Sequence, residues 1–206
     1  MPEPRISLQP ENYYHIYNHA VGNENLFETD HHYQYFLEKL REYLVPVNEV
    51  FAYCLMPNHF HLVIRIKNET EIKKFLMLKY FGLINPDENI TSNPYYLSDQ
   101  LSRIYSNFFN TYSKHYNFLK NRNGSLFKRA FMRKKIEDKL YLKRFICYVH
   151  QNPVKAGLAS KLPDWKYSSF VAIMSKRFSL VQRDEVLSLF GDGENLLYCH
   201  SQDVEI

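Results

Sequence analysis

The stretch that decides the fold is MPNHFHLVIRI, residues 56–66. Its apolar and β-branched run predicts a β-strand. On a strand, residues two apart face the same side and lie about 6.5 Å apart along the chain. His59 and His61 are therefore expected to present two imidazoles side by side, as two ligands for one divalent metal ion. The apolar residues from Phe60 onward alternate to the other side. One face is thus predicted to hold a core and the other a chemical site.

The composition is typical of a globular protein. The chain has 206 residues, of which 45% are hydrophobic, 16% aromatic and 23% charged, and it contains only 6 glycines. This length suits one domain with a sizeable core, and the scarcity of glycine argues against disorder. No apolar run approaches the roughly 18 residues of a membrane span, and the N-terminus lacks the pattern of a signal peptide. We therefore expect no membrane partner.

The three cysteines are odd in number, far apart and without a CxxC pair. This usage favours reduced thiols over a disulfide framework and argues against a thiolate zinc site. The sequence therefore predicts a cytoplasmic location.

Positive charge is concentrated in one segment. Residues 114–144 contain 11 Lys and Arg but only 2 acids, whereas the whole chain has a formal net charge of only +4. Such segregation is expected of a protein that binds a polyanion. A solvated basic surface without a partner is the alternative interpretation.

The pattern of hydrophobic residues predicts the order of the elements. An aromatic strand at 13–20 precedes a helix that begins at Thr29 or Asp30 and runs to about residue 44. A strand at 49–56 then turns through Pro57-Asn58 into the histidine strand, which makes a hairpin. Next come a helix at 69–81, a loop at 82–94, a longer helix capped by Ser98, and one or two strands within 126–136. A last helix opens at Glu137 or Asp138 and ends before Pro153.

This order predicts an α+β fold, ferredoxin-like, with a mostly antiparallel sheet packed with helices. The catalytic or binding domain is expected to span residues 1–160. Residues 161–206 form a C-terminal extension packed on, or following, the same domain. From residue 191 onward this extension is expected to be loosely ordered.

A third metal ligand, with a tyrosine hydroxyl beside the metal, is expected from the segment YVHQNPVKAGL, residues 148–158. Tyr148 and Asn152 are four residues apart, so they share one face of a helix. Several alternatives stay open. Tyr141 lies on the same face as Tyr148, Asn152 suits a helix cap before proline, and the metal ligand can instead be the His150 or Gln151 side chain. His15 and His19 on the first strand are expected to serve structure or a DNA contact.

These motifs resemble those of the single-tyrosine HUH-endonuclease transposases, and more closely the branch associated with REP (repetitive extragenic palindromic) elements. The matching segments are MPNHFH at residues 56–61, GSLF at 124–127, the 148–157 motif and DWKYSSF at 164–170. The resemblance covers roughly residues 13–170.

The resemblance implies a metal-dependent single-stranded DNA endonuclease and strand-transferase, a transposase that nicks and rejoins DNA. Tyr148 would be the nucleophile and would form a 5′-phosphotyrosine. His59, His61 and Asn152 would bind a divalent metal, Mg²⁺ or Mn²⁺. The partner would be single-stranded or hairpin DNA, and a homodimer is left open because the family includes both dimers and monomers. The DNA-binding residues are expected in the basic segment: Lys120, Arg122, Lys128, Arg129, Arg133, Lys134 and Lys135.

Two other functions remain as alternatives. A domesticated relative would bind structured DNA or RNA without cutting it. An unrelated zinc-dependent hydrolase would use His59, His61 and another ligand, but it would have no need for the basic segment.

Overall fold

The computed structural model describes residues 6–80, 95–128, 130–175 and 179–206. The predicted loop at 82–94 and the predicted DNA-binding residue Arg129 lie outside these ranges. The sheet consists of β1 (Tyr13–His19), β2 (Asn48–Met56), β3 (His59–Ile66) and β4 (Met132–Ile136). Its helices are α1 (Asp30–Lys39), α2 (Glu69–Tyr80), α3 (Tyr96–Leu119), α4 (Lys139–Lys155), α5 (Phe170–Met174), α6 (Arg183–Phe190) and α7 (Gly193–Ser201).

The four strands form one antiparallel sheet in the order β2-β3-β1-β4. Pro57 and Asn58 make the two-residue turn between β2 and β3, as predicted. The carbonyl of Pro57 accepts the backbone N–H groups of Leu26 and Phe27, which ties the turn to the loop before α1. The order β1-α1-β2-β3-α3-β4 and this strand arrangement confirm the predicted α+β, ferredoxin-like fold.

The sheet buries the Phe60 face against α1 and α3. Phe36 of α1 and Phe108 of α3 lie 4.9 Å apart between ring centroids, and Phe60 lies 5.2 Å from Phe36. These three rings are fully buried. The opposite face, which carries the histidines, is covered by α4, whose Phe145 ring lies 4.8 Å from His15. Because the histidines alternate with the core residues along β3, they face this second layer.

The structure corrects several predicted boundaries. The helix after β1 changes to a π-helical turn at Leu40–Leu44. Helix α3 begins at Tyr96, so Ser98 is not its cap; the Ser98 hydroxyl instead accepts the backbone N–H of Leu8. Among the described residues of the predicted strand region 126–136, only those of β4 form a strand, and Phe127 forms an isolated bridge to Ala20.

Helix α4 differs most from its prediction. Asp138 caps it by accepting the N–H of Tyr141, as expected, but the helix continues through Pro153 to Lys155. Proline removes one N–H, that of its own residue. The helical bonds resume after it, because Ala156 N–H donates to Asn152 O and Leu158 N–H donates to Pro153 O.

The C-terminal residues pack on the back of α4. Helix α7 buries Leu196 and His200, so the expectation of loose order from residue 191 onward is wrong. Lys155 binds the carbonyl of Val204, and Gln151 binds those of His200 and Gln202. Among the described residues, no helix is both long and apolar enough to cross a membrane.

Candidate metal and tyrosine site

Four histidines meet where β1 ends and β3 begins. The antiparallel register pairs Tyr17 with His61 and His19 with His59. The rings of His19 and His59 stack at 4.7 Å, and Nε2 of His15 lies 2.8 Å from Nδ1 of His61. His61 and His15 are buried, His59 is half-buried and His19 is exposed. The exposure of the histidines therefore increases from the sheet interior toward solvent.

Three of these imidazoles, those of His15, His59 and His61, are held in their neutral form. Burial lowers the pKa of His59 to about 4 and that of His15 to about 3. Burial, together with the neighbouring histidines, lowers the pKa of His61 well below its ordinary value. Removing a charged imidazolium from water is costly, which is why each ring keeps one lone pair instead of a second proton. Neutral imidazole is the form that binds a metal.

The hydrogen bonds also select the nitrogen that would face a metal. Nδ1 of His59 lies 2.7 Å from Oδ1 of Asn58, and because an amide oxygen only accepts, this nitrogen carries the proton. Nε2 of His59 then keeps the lone pair. Nε2 of His61 keeps one too in the tautomer in which its Nδ1 donates to Nε2 of His15. Such outer partners are the usual means of orienting metal-binding histidines.

Helix α4 carries Tyr148 to the same face. The Tyr148 ring is half-buried and lies edge-on to His61 at 5.6 Å and to His15 at 6.3 Å between centroids. The neighbouring α4 residues Phe145 and Val149 are buried, which fixes the helix against the sheet. The structure thus brings the predicted phenol next to His61 of the predicted histidine pair, while their chemical roles remain predictions.

Asn152 lies one turn beyond Tyr148 on α4. Its Nδ2 donates to the backbone carbonyl of Tyr148 at 2.9 Å. The helix continues past this residue, so Asn152 is not the cap before proline that the alternative interpretation required. With its nitrogen in that bond, the amide oxygen is the atom that would bind a metal, and this role stays a prediction.

The rival tyrosine, Tyr141, lies two turns earlier. Its hydroxyl accepts a hydrogen bond from Lys134 of β4, and its ring lies 4.7 Å from Phe145. The Lys134 ammonium also lies 5.0 Å over the Tyr141 ring. Tyr141 is therefore engaged with the β4 edge, whereas Tyr148 contacts two histidines.

The donor set fits a divalent metal in part. Among the described residues, no group of three or more His, Cys, Asp or Glu side chains has the geometry of a metal site. The two neutral imidazoles with oriented lone pairs would supply two ligands, and the Asn152 carboxamide would supply a third of the oxygen type that Mg²⁺ and Mn²⁺ prefer. Such a set leaves positions for phosphate oxygens and water.

The predicted DNA-binding residues fall into two groups. Lys120 and Arg122 form ion pairs with Glu28 and Glu24 beside α3, so they have structural partners. The others lie on or just before β4: Lys128, Arg133, Lys134 and Lys135. Lys134 is on the histidine face, opposite His15 in the register, and Arg133 is on the α3 face, opposite Ile16.

A second histidine pair was missed by the sequence analysis. Nδ1 of His150 on α4 lies 2.8 Å from Nε2 of His200 on α7, and Nε2 of His150 lies 2.8 Å from the hydroxyl of Ser169. His150 points away from Tyr148 and is fully buried, which removes it as a rival metal ligand. The only signal in the sequence for this structural role is the position of His150, two residues from Tyr148 and thus on the opposite side of a helix.

Comparisons with known proteins agree with the predicted resemblance. No family model matches the chain. A protein of Haemophilus influenzae named as a REP-associated tyrosine transposase is 28% identical over 122 residues, which is 59% of this chain. The aligned part spans 58% of that relative's length. A solved structure of a REP-associated tyrosine transposase bound to a REP hairpin superposes with a TM-score of 0.57 at 14% identity, covering 87% of this chain and 90% of that one. The chain is thus similar to one REP-associated tyrosine transposase in sequence and to another in fold.

Proposed function

We propose that this protein is a metal-dependent single-stranded DNA endonuclease and strand-transferase that acts through a 5′-phosphotyrosine. The observation that carries the proposal is the approach of the Tyr148 ring to within 5.6 Å of His61, beside His59. Helix α4 and strand β3 are far apart in the sequence, so neither element alone explains why a phenol meets oriented neutral imidazoles. The name of the sequence relative and the hairpin bound to the structural relative support DNA as the substrate.

The reaction is a transesterification at phosphorus. The Tyr148 phenol loses its proton and its oxygen bonds to the phosphorus, while the bond from phosphorus to the 3′ oxygen breaks. That 3′ oxygen gains a proton and leaves as a free hydroxyl. The phosphodiester-like link to tyrosine conserves the bond energy, so a 3′-OH on another strand end can reverse the step without ATP.

This chain's residues would each contribute one function. The half-buried Tyr148 is anchored by the buried side of α4, which limits the freedom of the attacking oxygen. His59, His61 and the Asn152 amide oxygen would hold the metal, which supplies charge stabilisation at a non-bridging phosphate oxygen when bound. Lys134, on the histidine face at the β4 edge, lies where it can pair with a neighbouring phosphate.

The test is formation of a covalent adduct. A 3′-labelled oligonucleotide with a hairpin and unpaired flanks is incubated with protein and Mn²⁺, and the products are resolved on a denaturing gel. Wild type and Tyr141→Phe are expected to form a protein–DNA adduct, which Tyr148→Phe does not form. Tyr141→Phe is the matched control because it removes a hydroxyl from the same face of α4. Mass spectrometry of the adduct should find the nucleotide on the peptide that contains Tyr148.

Several results would contradict the proposal. Equal adduct in Tyr148→Phe and wild type would move the nucleophile elsewhere. Salt-dependent DNA binding with no adduct, across a panel of hairpins and in either metal, would favour the non-cleaving binder. Hydrolysis of a small ester by the zinc-loaded protein without affinity for DNA would favour the zinc hydrolase.

A further inference from the structure

A third histidine pair lies on the helical layer, outside the proposed tyrosine site. His31 is in the first turn of α1 and His115 is near the end of α3. Their Nε2 atoms are 2.9 Å apart, and their ring centroids are 5.2 Å apart with planes inclined by 47°. Both helices pack on the Phe60 side of the sheet, opposite the tyrosine site. The proposed chemistry therefore does not use this pair.

This pair differs from the two buried histidine pairs in its access to solvent. His31 is exposed and His115 is half-buried. Among the described residues, no hydrogen bond engages Nδ1 of either ring, and each Nε2 is directed at the other Nε2. In each ring, Nδ1 can therefore hold the proton of a neutral imidazole while Nε2 keeps the lone pair. An ion that arrives from solvent meets two ring nitrogens that already converge.

The separation of the two nitrogens matches that of neighbouring ligands on one metal ion. Imidazole nitrogens lie about 2.0–2.1 Å from a bound divalent ion such as Zn²⁺. Two such bonds at a right angle place their nitrogens about 2.9 Å apart, and two at the tetrahedral angle place them about 3.4 Å apart. The separation of 2.9 Å between His31 and His115 corresponds to the right angle. Right angles are typical of tetragonal Cu²⁺ and Ni²⁺ sites, for which imidazole is a suitable ligand.

The two helices that carry the pair are held together by the core. Phe36 of α1 lies 4.9 Å from Phe108 and 5.1 Å from Tyr112 of α3 between ring centroids. These rings are fully buried, and the Tyr112 hydroxyl donates to the Leu26 carbonyl. His115 follows Tyr112 by three residues, so it lies about one turn farther along α3 on the same side. The backbone positions of the pair are thus fixed before an ion binds, which lowers the entropic cost of binding.

Tyr35 restricts the orientation of both imidazoles. It lies one turn after His31 on α1, and its ring stacks on His115 at 3.7 Å between centroids, with planes inclined by 21°. The same ring lies 6.2 Å from that of His31, with planes inclined by 26°. The Lys39 ammonium lies 5.2 Å from the Tyr35 ring centroid, which adds a cation–π contact to the stack. Groups that hold a ligand ring in place in this way are the usual support of a metal-binding histidine.

The alternative interpretation is a hydrogen bond alone. One Nε2 then carries a proton and donates to the other, and a bond between solvent-accessible groups contributes little because water offers equivalent bonds. Burial, followed by the neighbouring His31, lowers the pKa of His115, which favours its neutral ring. Metal binding requires only that the bonded proton move from Nε2 to Nδ1 of the same neutral ring. Each Nε2 then offers a lone pair, and no proton is gained or lost overall.

We propose that His31 and His115 bind a divalent transition-metal ion as neighbouring ligands and that this ion links α1 to α3 at the surface. Water completes the coordination, because no third His, Cys, Asp or Glu among the described residues joins the pair in a metal site. The inference is independent of the proposed function, since it needs neither DNA nor Tyr148. The class of ion also differs, because a pair of nitrogen ligands favours Ni²⁺ and Cu²⁺ over the oxygen-seeking Mg²⁺.

The test is urea unfolding in EDTA and during a titration with Ni²⁺. When free Ni²⁺ reaches one hundred times its dissociation constant, an ion that binds only the folded chain lowers the unfolding equilibrium constant about 100-fold. His31→Ala and His115→Phe are each expected to lose at least tenfold of this stabilisation. The variant with both substitutions should lose no more than either single variant, because one remaining imidazole does not chelate.

The variants are chosen to isolate the pair. His115→Phe keeps a ring against Tyr35, and His31→Ala alters an exposed side chain, so in EDTA it should unfold like wild type. Gln34→Ala, at another exposed position of α1, is the matched control and should keep the full effect of Ni²⁺. Any Ni²⁺ bound at His59 and His61 stabilises all these proteins alike, so it cancels in the comparison.

Several results would overturn the metal site. These are equal stabilisation by Ni²⁺ in wild type and His31→Ala, additive losses in the variant with both substitutions, and equal stabilisation by Mg²⁺ and Ni²⁺ in wild type. If His115→Phe does not fold in EDTA, the comparison of wild type with His31→Ala and Gln34→Ala decides the question. Adduct formation on DNA is a separate measurement, so either proposal can fail while the other stands.

Discussion

The molecule contains two buried histidine pairs of nearly identical local geometry. In the pair His15–His61, the bonded nitrogens are 2.8 Å apart and the ring centroids 5.0 Å apart, with planes inclined by 19°. In the pair His150–His200, the same quantities are 2.8 Å, 5.1 Å and 22°. Burial lowers the pKa of all four rings. Geometry within the pair therefore does not distinguish a chemical site from a structural one.

The two pairs differ in the groups that surround them. Around His150–His200 the hydrogen bonds form a closed chain, because Nδ1 of His200 donates to the Leu196 carbonyl and Nε2 of His150 lies 2.8 Å from the Ser169 hydroxyl. The Ser169 hydroxyl in turn accepts the N–H of Tyr53. Every imidazole nitrogen of this pair is occupied by protein.

The hydrogen bonds of the pair His15–His61 do not form a closed chain. His61 uses one nitrogen for His15, and its neighbour is the half-buried His59, whose Nδ1 is engaged by Asn58. Tyr148 faces this pair edge-on from α4. The hydrogen bonds of the pair His150–His200 therefore fix α4, while those of the pair His15–His61 leave lone pairs for a ligand. Substitutions in each pair test this division.

The largest expected effect is loss of adduct formation in His61→Leu. Removing one metal ligand should lower the single-turnover rate of adduct formation about 10³-fold, because several kcal/mol of transition-state stabilisation are lost. The rate is measured on the flanked hairpin at saturating Mn²⁺. A fall of less than tenfold would show that His61 does not act as a ligand and that its pair is structural like the other.

The second prediction concerns the closed pair. His200→Ala leaves a cavity and an unpaired N–H on buried His150, so the free energy of unfolding should fall by about 3 kcal/mol, a factor of about 100 in the folding equilibrium. Urea unfolding measures this change, and His31→Ala, an exposed histidine, serves as the control with a change near zero. Below the unfolding transition, adduct formation should stay within a few-fold of wild type. An unchanged unfolding midpoint would contradict the structural role.

These two pairs also mark the limit of sequence analysis. The strand alternation around His59 and His61 and the turn at Pro57-Asn58 are local, so the pattern predicted them and the sheet that they build. Tyr148 was placed by helical spacing together with the family motif. The partner of His150, however, is 50 residues away on α7, and no periodicity links the two segments. The same applies to the contact of His15 with His61, which depends on the register between β1 and β3.

Pro153 shows a second way in which prediction from the sequence fails. The rule that helices end before proline predicted the end of α4, yet the helix continues to Lys155. Lys155 binds the carbonyl of Val204, and Gln151 binds two carbonyls near the C-terminus. Tertiary bonds along α4 thus stabilise a last turn that local preference disfavours.

The third prediction is a pH dependence of stability. Burial lowers the pKa of His200 to about 4 from the ordinary 6.5, although its bond to the Leu196 carbonyl acts in the opposite direction. The titratable groups that face it are His150, whose pKa burial also lowers, and Cys147, whose thiol pKa burial raises to about 12. The cysteine therefore stays neutral, and the histidines carry the effect.

The sign of this pH dependence is set by linkage. The unfolded chain binds protons on these histidines below about pH 6.5 while the folded chain does not, so stability is full above that pH and falls as the pH drops toward 4. Between pH 7 and pH 5, His200 should account for a loss of about 2 kcal/mol. Urea unfolding of wild type and His200→Gln at both pH values measures it, and His200→Gln should lose correspondingly less. Equal losses in the two proteins would mean that the closed pair is not held neutral by burial.

The smallest expected effect tests His15 as the residue that orients His61. His15→Phe keeps a ring against Phe145 and Tyr17 but removes the nitrogen that accepts from Nδ1 of His61. The Mn²⁺ concentration for half-maximal adduct formation should rise about tenfold, the low end of the effect of losing an outer partner. Because a Gln side chain offers an amide oxygen as acceptor, His15→Gln should recover part of this loss. Packing damage alone would instead lower the adduct rate at every Mn²⁺ concentration without moving the midpoint, and Gln would then give no recovery. A shift of the midpoint that Gln partly reverses is thus the signature that His15 orients a ligand, and it is the property in which the two histidine pairs differ.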